Sequence, residues 1–197
     1  MSPRLAGKRV LILGAETEVG RAVTTAVAEA GAGVAAVAAT IEAEAAFAVQ
    51  RLARRLASNE RKVIAQAIDA TNEAAMRVMV RQVSKELGGL DAVVLVTTEC
   101  ASQREVYMEL ARWHGWRELS RSGGGKLVVV WPIPPIEQGH PVPLPAFRMD
   151  LRSPEVSLEE WRRRQNWTAL LLHYEETMLS RAPTDVVDAI AGEAESG

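Results

Sequence analysis

One short stretch near the start constrains most of what this chain can become. Residues 10–13, Val-Leu-Ile-Leu, form an unbroken apolar run, which reads as a strand buried on both faces. Gly14 follows at once, where the strand must turn sharply. From there Val19, Val23, Val27 and Ala30 fall at helical spacing, and Gly31 supplies a stop. Strand, glycine turn and helix in that order open a parallel α/β sheet. A helix N-terminus reached in this way suits a pyrophosphate, because its first backbone N–H groups point outward unpaired.

The alternation continues along the chain. Residues 34–40 read as a second strand and 42–58 as a helix, with Phe47, Leu52 and Leu56 at helical intervals and Arg51, Arg54 and Arg55 on its solvated face. Residues 63–68 form a third strand. The next helix carries Met76, Met79, Val80, Val83 and Leu87 on one side and ends at Gly88-Gly89. A strand at 90–96, a helix at 102–121 bearing Val106, Leu110 and Trp113, and a strand at 126–131 complete the clear pattern. Residues 132–154 hold seven of the nine prolines and no hydrophobic period, predicting a long irregular loop. Ser157-Leu-Glu-Glu160 is a capping box, predicting a helix over 158–181. At 197 residues the sum is one domain spanning 1–197, a doubly wound, Rossmann-like α/β/α sandwich truncated after about six strands.

Three local stretches give this pattern a family. The loop with Gly14 and Val19-Gly20 resembles the Thr-Gly-x-x-x-Gly-Ile-Gly signature of short-chain dehydrogenases/reductases. Ala67-Ile-Asp-Ala-Thr-Asn is similar to that family's Asp-Val-Thr-Asp segment, whose Asp lies near the adenine ring, so Asp69 is the position the resemblance assigns there. Residues 179–192 resemble the family's sixth-strand segment, Ile-Arg-Val-Asn-Ala-Val-Ala-Pro-Gly. From the residues alone, Asp69 equally suits helix initiation, with Thr71 or Asn72 as cap and Glu73 in the first turn.

The resemblance implies NAD or NADP and a Ser, Tyr and Lys that act on the substrate, and here the sequence departs from it. Glu18 replaces the middle glycine, putting an anionic side chain where the backbone should approach phosphate. The end of the second strand, residues 37–40, has no charged residue for a ribose or its phosphate, and Glu42 serves only if the register slips. Thr97-Thr98-Glu99-Cys100 stands for the family's Asn-Asn-Ala-Gly. Cys100 reads as a spectator thiol, since Glu99 beside it disfavours a thiolate. The strand expected to precede the catalytic serine leads into Trp131-Pro132, and counting back from 179–192 places the Tyr and Lys positions on Arg163 and Trp167. Independently of register, Tyr107 and Tyr174 are followed four residues on by Ala111 and Met178, and no lysine follows Lys126. The expectation is a vestigial site (Gly14, Glu18, Gly20, Asp69) without catalytic residues or cofactor, the alternatives being an NAD(P)-dependent oxidoreductase with atypical residues or a nucleotide-binding sensor.

Composition excludes other classes. A net charge of −2 lacks the basic excess of nucleic-acid binders, and 48% hydrophobic with 24% charged residues is ordinary for a globular domain. His114, His140 and His173 are isolated from one another, so no metal-ligand spacing is present. A single cysteine, no secretory pattern and no membrane-length apolar run point to a cytoplasmic chain. Relatives implied by the resemblance assemble through helices equivalent to 102–121 and 158–181, and four of the five tryptophans fall in these stretches. Trp113 and Trp161 are expected in the core. Trp116 and Trp167 are expected at a homo- or hetero-oligomeric interface with a dehydrogenase-like chain.

Overall fold

Among the described residues six strands, all paired in parallel, form one sheet in the order β3-β2-β1-β4-β5-β6. The structure, a computed structural model, describes residues 3–58, 61–96, 101–133, 168–175 and 180–192. In chain order the elements are β1 (Arg9–Leu13), α1 (Glu18–Glu29), β2 (Gly33–Ala38), α2 (Ala43–Leu56), β3 (Val63–Ala67) and α3 (Glu73–Leu87). They continue with β4 (Ala92–Val96), α4 (Ala101–Arg121), β5 (Lys126–Ile133), β6 (Thr168–Glu175) and α5 (Ala182–Ala191).

The period-two geometry of a strand explains why the central strands β1 and β4 are apolar from Val10 to Leu13 and from Ala92 to Val96. Val10 and Ile12 of β1 join one core with α1, α2 and α5, while Leu11 and Leu13 join a second core with α3 and α4. Val94 and Val128 fall in the first core, Leu95 and Val129 in the second. A central strand covered by helices on both faces is apolar at odd and even positions alike, so it lacks the alternation seen in half-exposed sheets.

The second half of the chain corrects the sequence expectations. The helix predicted over 158–181 does not run that far, because Thr168–Glu175 is strand β6, paired in register from Lys126↔Thr168 to Ile133↔Glu175. Leucine favours helices, and the capping box suggested that one simply continued through Ala169-Leu-Leu-Leu172. A short, unbroken apolar run is equally the mark of a buried strand, and pairing with β5 decides it. The segment 179–192, matched to a sixth strand by resemblance, contains helix α5 instead. Pro183 lies in its first turn, Ala182, Val186, Val187, Ala189 and Ile190 are buried, and Gly192 closes it with a φ of 90°. With that anchor gone, Arg163 and Trp167 lose their placement as the Tyr and Lys positions, and both lie outside the described residues. The proline-rich loop begins later than 132, since Pro132 and Ile133 belong to β5. Beyond Val130 that strand pairs, among the described residues, with β6 alone, and a proline is tolerated where one side of a strand needs no donor.

Two polar ties fasten the N-terminal edge of the sheet. Lys126 Nζ on β5 donates to the Ala189 carbonyl in the last turn of α5, at 2.6 Å. Arg9 Nε donates to Asp91 Oδ2 at 2.8 Å and its second guanidinium nitrogen to Oδ1 at 3.1 Å, joining β1 to the start of β4. Burial alone would raise the Asp91 carboxyl, but the hydrogen bonds and charge of Arg9 outweigh it and hold the group below its ordinary range. A carboxyl depressed by folding stabilises the native state at pH values above its unfolded pKa of about 4. That contribution is lost as pH falls through the lower folded value. Asp91→Asn should therefore lower stability at pH 7 by about 1–3 kcal/mol, with the deficit shrinking in acid. Urea unfolding of both proteins at pH 7 and pH 3 checks this, and a deficit independent of pH would contradict it.

Candidate nucleotide site

In the strand order β3-β2-β1-β4-β5-β6 the switch point, the crevice where an open α/β sheet receives a ligand, falls at the carboxyl ends of β1 and β4, and the turn after β1 joins it to the end of β2. This turn is bonded to the chain itself. Gly14 and Ala15 N–H both donate to the Val37 carbonyl of β2, at 3.0 and 3.1 Å, and Thr17 N–H donates to Gly14 O. Thr17 caps α1, its Oγ1 accepting from Gly20 N–H at 2.9 Å and donating to Gly14 O at 2.9 Å.

The two matching glycines are required by packing. Gly14 has a φ of +83°, and a Cβ there would lie 2.3 Å from the Val96 carbonyl oxygen at the end of β4. A Cβ on Gly20 would lie 2.0 Å from Gly14 O. Both positions demand glycine whether or not a nucleotide ever binds.

Glu18 is the first residue of α1 and is exposed, where its charge complements the positive helix end. The residue turned inward is its neighbour Glu16, which the sequence did not single out. Glu16 Oε2 accepts from the N–H of Ala39, the residue after β2, at 3.1 Å. Its carboxylate thus bridges the glycine turn and the end of the second strand. Burial pushes the Glu16 carboxyl up, against the opposing effects of its backbone hydrogen bonds and Arg21. Tyr107 of α4 lies close enough to feel that charge. Burial first and Glu16 second push its phenol well up, and its hydroxyl donates to the Val96 carbonyl at 3.3 Å. Glu16 had no signal in the sequence, because the family pattern leaves its position open.

Of the other predicted residues, Asp69 follows β3 and Glu42 precedes α2, both exposed. Asp69 is exposed and accepts from the N–H and hydroxyl of Thr71, at 3.0 and 2.6 Å, which holds its carboxyl below the ordinary range. Asn72 caps α3 by accepting from Ala75 N–H, so the helix-initiation reading describes what this segment does. Glu42 is the exposed N-cap of α2 and makes no side-chain capping bond. Residues 97–100, Cys100 among them, lie outside the described residues, and Pro132 is described in its backbone alone. Among the described residues no group of three or more His, Cys, Asp or Glu could hold a metal ion. No described helix is long and apolar enough to cross a membrane.

Residues 8–119, more than half the chain, match the short chain dehydrogenase family. The chain belongs to that family. A short-chain dehydrogenase/reductase from Mycobacterium marinum is 28% identical with a TM-score of 0.57, over 66% of this chain and 57% of that one. A short-chain dehydrogenase from Burkholderia cenocepacia, solved with NADP, is 26% identical with a TM-score of 0.53, over 64% and 56%. A candidate short-chain alcohol dehydrogenase from Sinorhizobium meliloti shares the fold at 22% identity, with a TM-score of 0.62 over 86% and 73%. This chain spans little more than half the length of the first two. No functionally curated protein matches it.

Within the family frame, two carboxylates, those of Glu16 and Glu18, stand at this turn, where NAD or NADP would bring its phosphates. A pyrophosphate on α1 would meet Glu18 at the helix start, and the path from there to the end of β2 is crossed by the half-buried Glu16 carboxylate.

Proposed function

We propose that this chain is a non-catalytic member of the short-chain dehydrogenase family that acts by associating with another dehydrogenase-like chain. The observation that carries the proposal is the half-buried Glu16 carboxylate, bonded to Ala39 between the glycine turn and the end of β2. An anion held there opposes a phosphate by about 4 kcal/mol at 4 Å and an effective dielectric of 20. The missing Tyr-x-x-x-Lys supports the same reading, since a proton donor of that kind accounts for roughly 10²–10⁴ in rate.

The surface of α4 supports association, with one reassignment. Trp113, expected in the core, is 44% exposed, because Tyr107, Met108, Ala111 and Leu119 define the buried stripe and Trp113 falls off it. Trp116 is half-buried, packs against that core, and holds its ring 5.5 Å from that of Trp113. Val106, 45% exposed, and Trp113 lie seven residues apart with the half-buried Leu110 between them, so one side of α4 presents an apolar stripe. An aromatic anchor on such a stripe is the usual centre of a helix-to-helix interface. Trp167 and the stretch 151–167 lie outside the described residues.

Co-expression with a dehydrogenase encoded beside this chain should yield a joint species by size exclusion with light scattering, and Trp113→Glu should dissolve it. A chain that stays monomeric in both settings would end the proposal. The alternative is an NAD(P)-dependent oxidoreductase with atypical residues, favoured by the NADP bound in the Burkholderia relative. A nucleotide-binding sensor is the remaining possibility. Saturable cofactor binding would favour these two, and carbonyl turnover would select the first of them.

A further inference from the structure

A basic groove lies between α3 and α4 on the outer helical layer. Arg77 and Arg81 on α3 lie one turn apart, as do Arg117 and Arg121 on α4, and the four face each other across the groove between the helices. They line a cavity of about 150 Å³ together with His114 and Glu118. At about 30 Å³ per water that is room for several waters or one tetrahedral oxyanion.

Two observations distinguish this groove from an ordinary solvated basic face. Arg121 is paired with Glu118 at 3.1 Å, but Arg77, Arg81 and Arg117 have no carboxylate within ion-pair distance among the described residues. His114 is only 5% exposed, and its Nε2 is buried with no hydrogen-bond partner. The nearest carboxylate oxygen, from the largely exposed Glu73, stands 3.8 Å away, too far for a hydrogen bond. A buried polar atom left unpaired is costly, and one facing a cationic cavity calls for an acceptor.

We propose that the α3–α4 groove binds a small, multiply charged oxyanion, inorganic phosphate or the phosphate head of a phosphomonoester, with Arg77, Arg81 and Arg117 as its clamps and His114 Nε2–H as a donor from below. The planar guanidinium fork matches phosphate oxygens in pairs, which a lysine-lined groove would not do. With four arginines against Glu118 and the rim carboxylate of Glu73, the groove has a surplus of about two positive charges when His114 is neutral. A dianion satisfies that balance.

The groups facing His114 are Glu73, Arg77 and Arg81 from α3 and Arg117, Glu118 and Arg121 from α4. Burial and the nearby arginines hold the imidazole below its ordinary range, with Glu73 opposing them. An anion bound at Nε2 favours the imidazolium, so His114 should titrate at higher pH in phosphate.

The test is long-range ¹H–¹⁵N NMR of the full chain's imidazoles, with His114→Gln assigning the resonance. Inorganic phosphate, glycerol phosphate and sodium chloride are titrated at matched ionic strength. Both phosphates should shift His114 saturably and raise its titration midpoint, with chloride inert, and tighter binding of glycerol phosphate would identify the ester as the ligand. Arg77→Gln with Arg81→Gln should weaken binding at least tenfold, since each charge-assisted bond lost is worth about a factor of ten or more. Far-UV circular dichroism of that variant checks that it is folded. No saturable shift with either phosphate, or the same half-saturation in the folded arginine variant, overturns the proposal.

Discussion

Gly14→Ala should destabilise the chain by about 3–5 kcal/mol, lowering the melting temperature by roughly 10 °C. Two effects add. A non-glycine residue in the left-handed region costs about 1–2 kcal/mol. The new Cβ would also stand 2.3 Å from the Val96 carbonyl oxygen, a backbone atom held in place by β4. Because the sheet cannot yield locally, the turn must shift and strain its two bonds to Val37. Gly20→Ala gives the sharper contrast. At an open helical site this exchange stabilises by about 1 kcal/mol. Here the Cβ falls 2.0 Å from Gly14 O, and the sign should reverse. Thermal unfolding followed by circular dichroism measures both variants without any nucleotide present. Little change in either would mean that the glycines are not required by packing.

The second large effect concerns Glu16. Replacing it by alanine together with Glu18→Gly should raise affinity for NADPH at least thirtyfold, equivalent to about 2 kcal/mol after solvent has screened most of the charge repulsion. Glu16→Gln separates charge from shape, because an amide oxygen can still accept from Ala39 N–H. The pH dependence follows from the raised carboxyl. A carboxyl whose folded pKa exceeds its unfolded one, about 4.3, binds its proton more readily in the native state. Glu16 therefore disfavours folding at neutral pH, and that penalty is relieved as pH falls through the folded value. Glu16→Gln should be the more stable protein at pH 7, with the advantage vanishing near pH 4. An advantage that persists unchanged into acid would mean that the carboxylate is not held out of water.

Much of the fold could be read from the chain, and the reasons for the exceptions are physical. Residues 10–13, the helix stops at Gly31 and Gly88, and the strand beginning at Lys126 are local signals that packing only reinforces. Strand β6 is different, because Ala169-Leu-Leu-Leu172 suits a helix as well as a strand until its pairing with β5 is known. Helix α5 was concealed by its own Val186-Val187 pair, which mimics a strand, and only burial at 182, 186 and 190 exposes the helical period. In the site, Gly14 and Gly20 were legible as a motif but not as packing constraints. Glu16 was illegible, since its role depends on Ala39, 23 residues away and just past β2. The basic groove lay between these extremes. The four-residue spacing of its arginines is written in the sequence, but the burial of His114 among them is not.

The most direct measurement is isothermal titration of the unaltered chain with NADPH and with NADH at neutral pH. With Glu16 and Glu18 in place, neither should give saturable heat below about 1 mM, so that any binding is weaker than roughly 4 kcal/mol. A micromolar dissociation constant for either cofactor would show that the crevice accepts a nucleotide despite its carboxylates, and would contradict a non-catalytic role argued from its blockage.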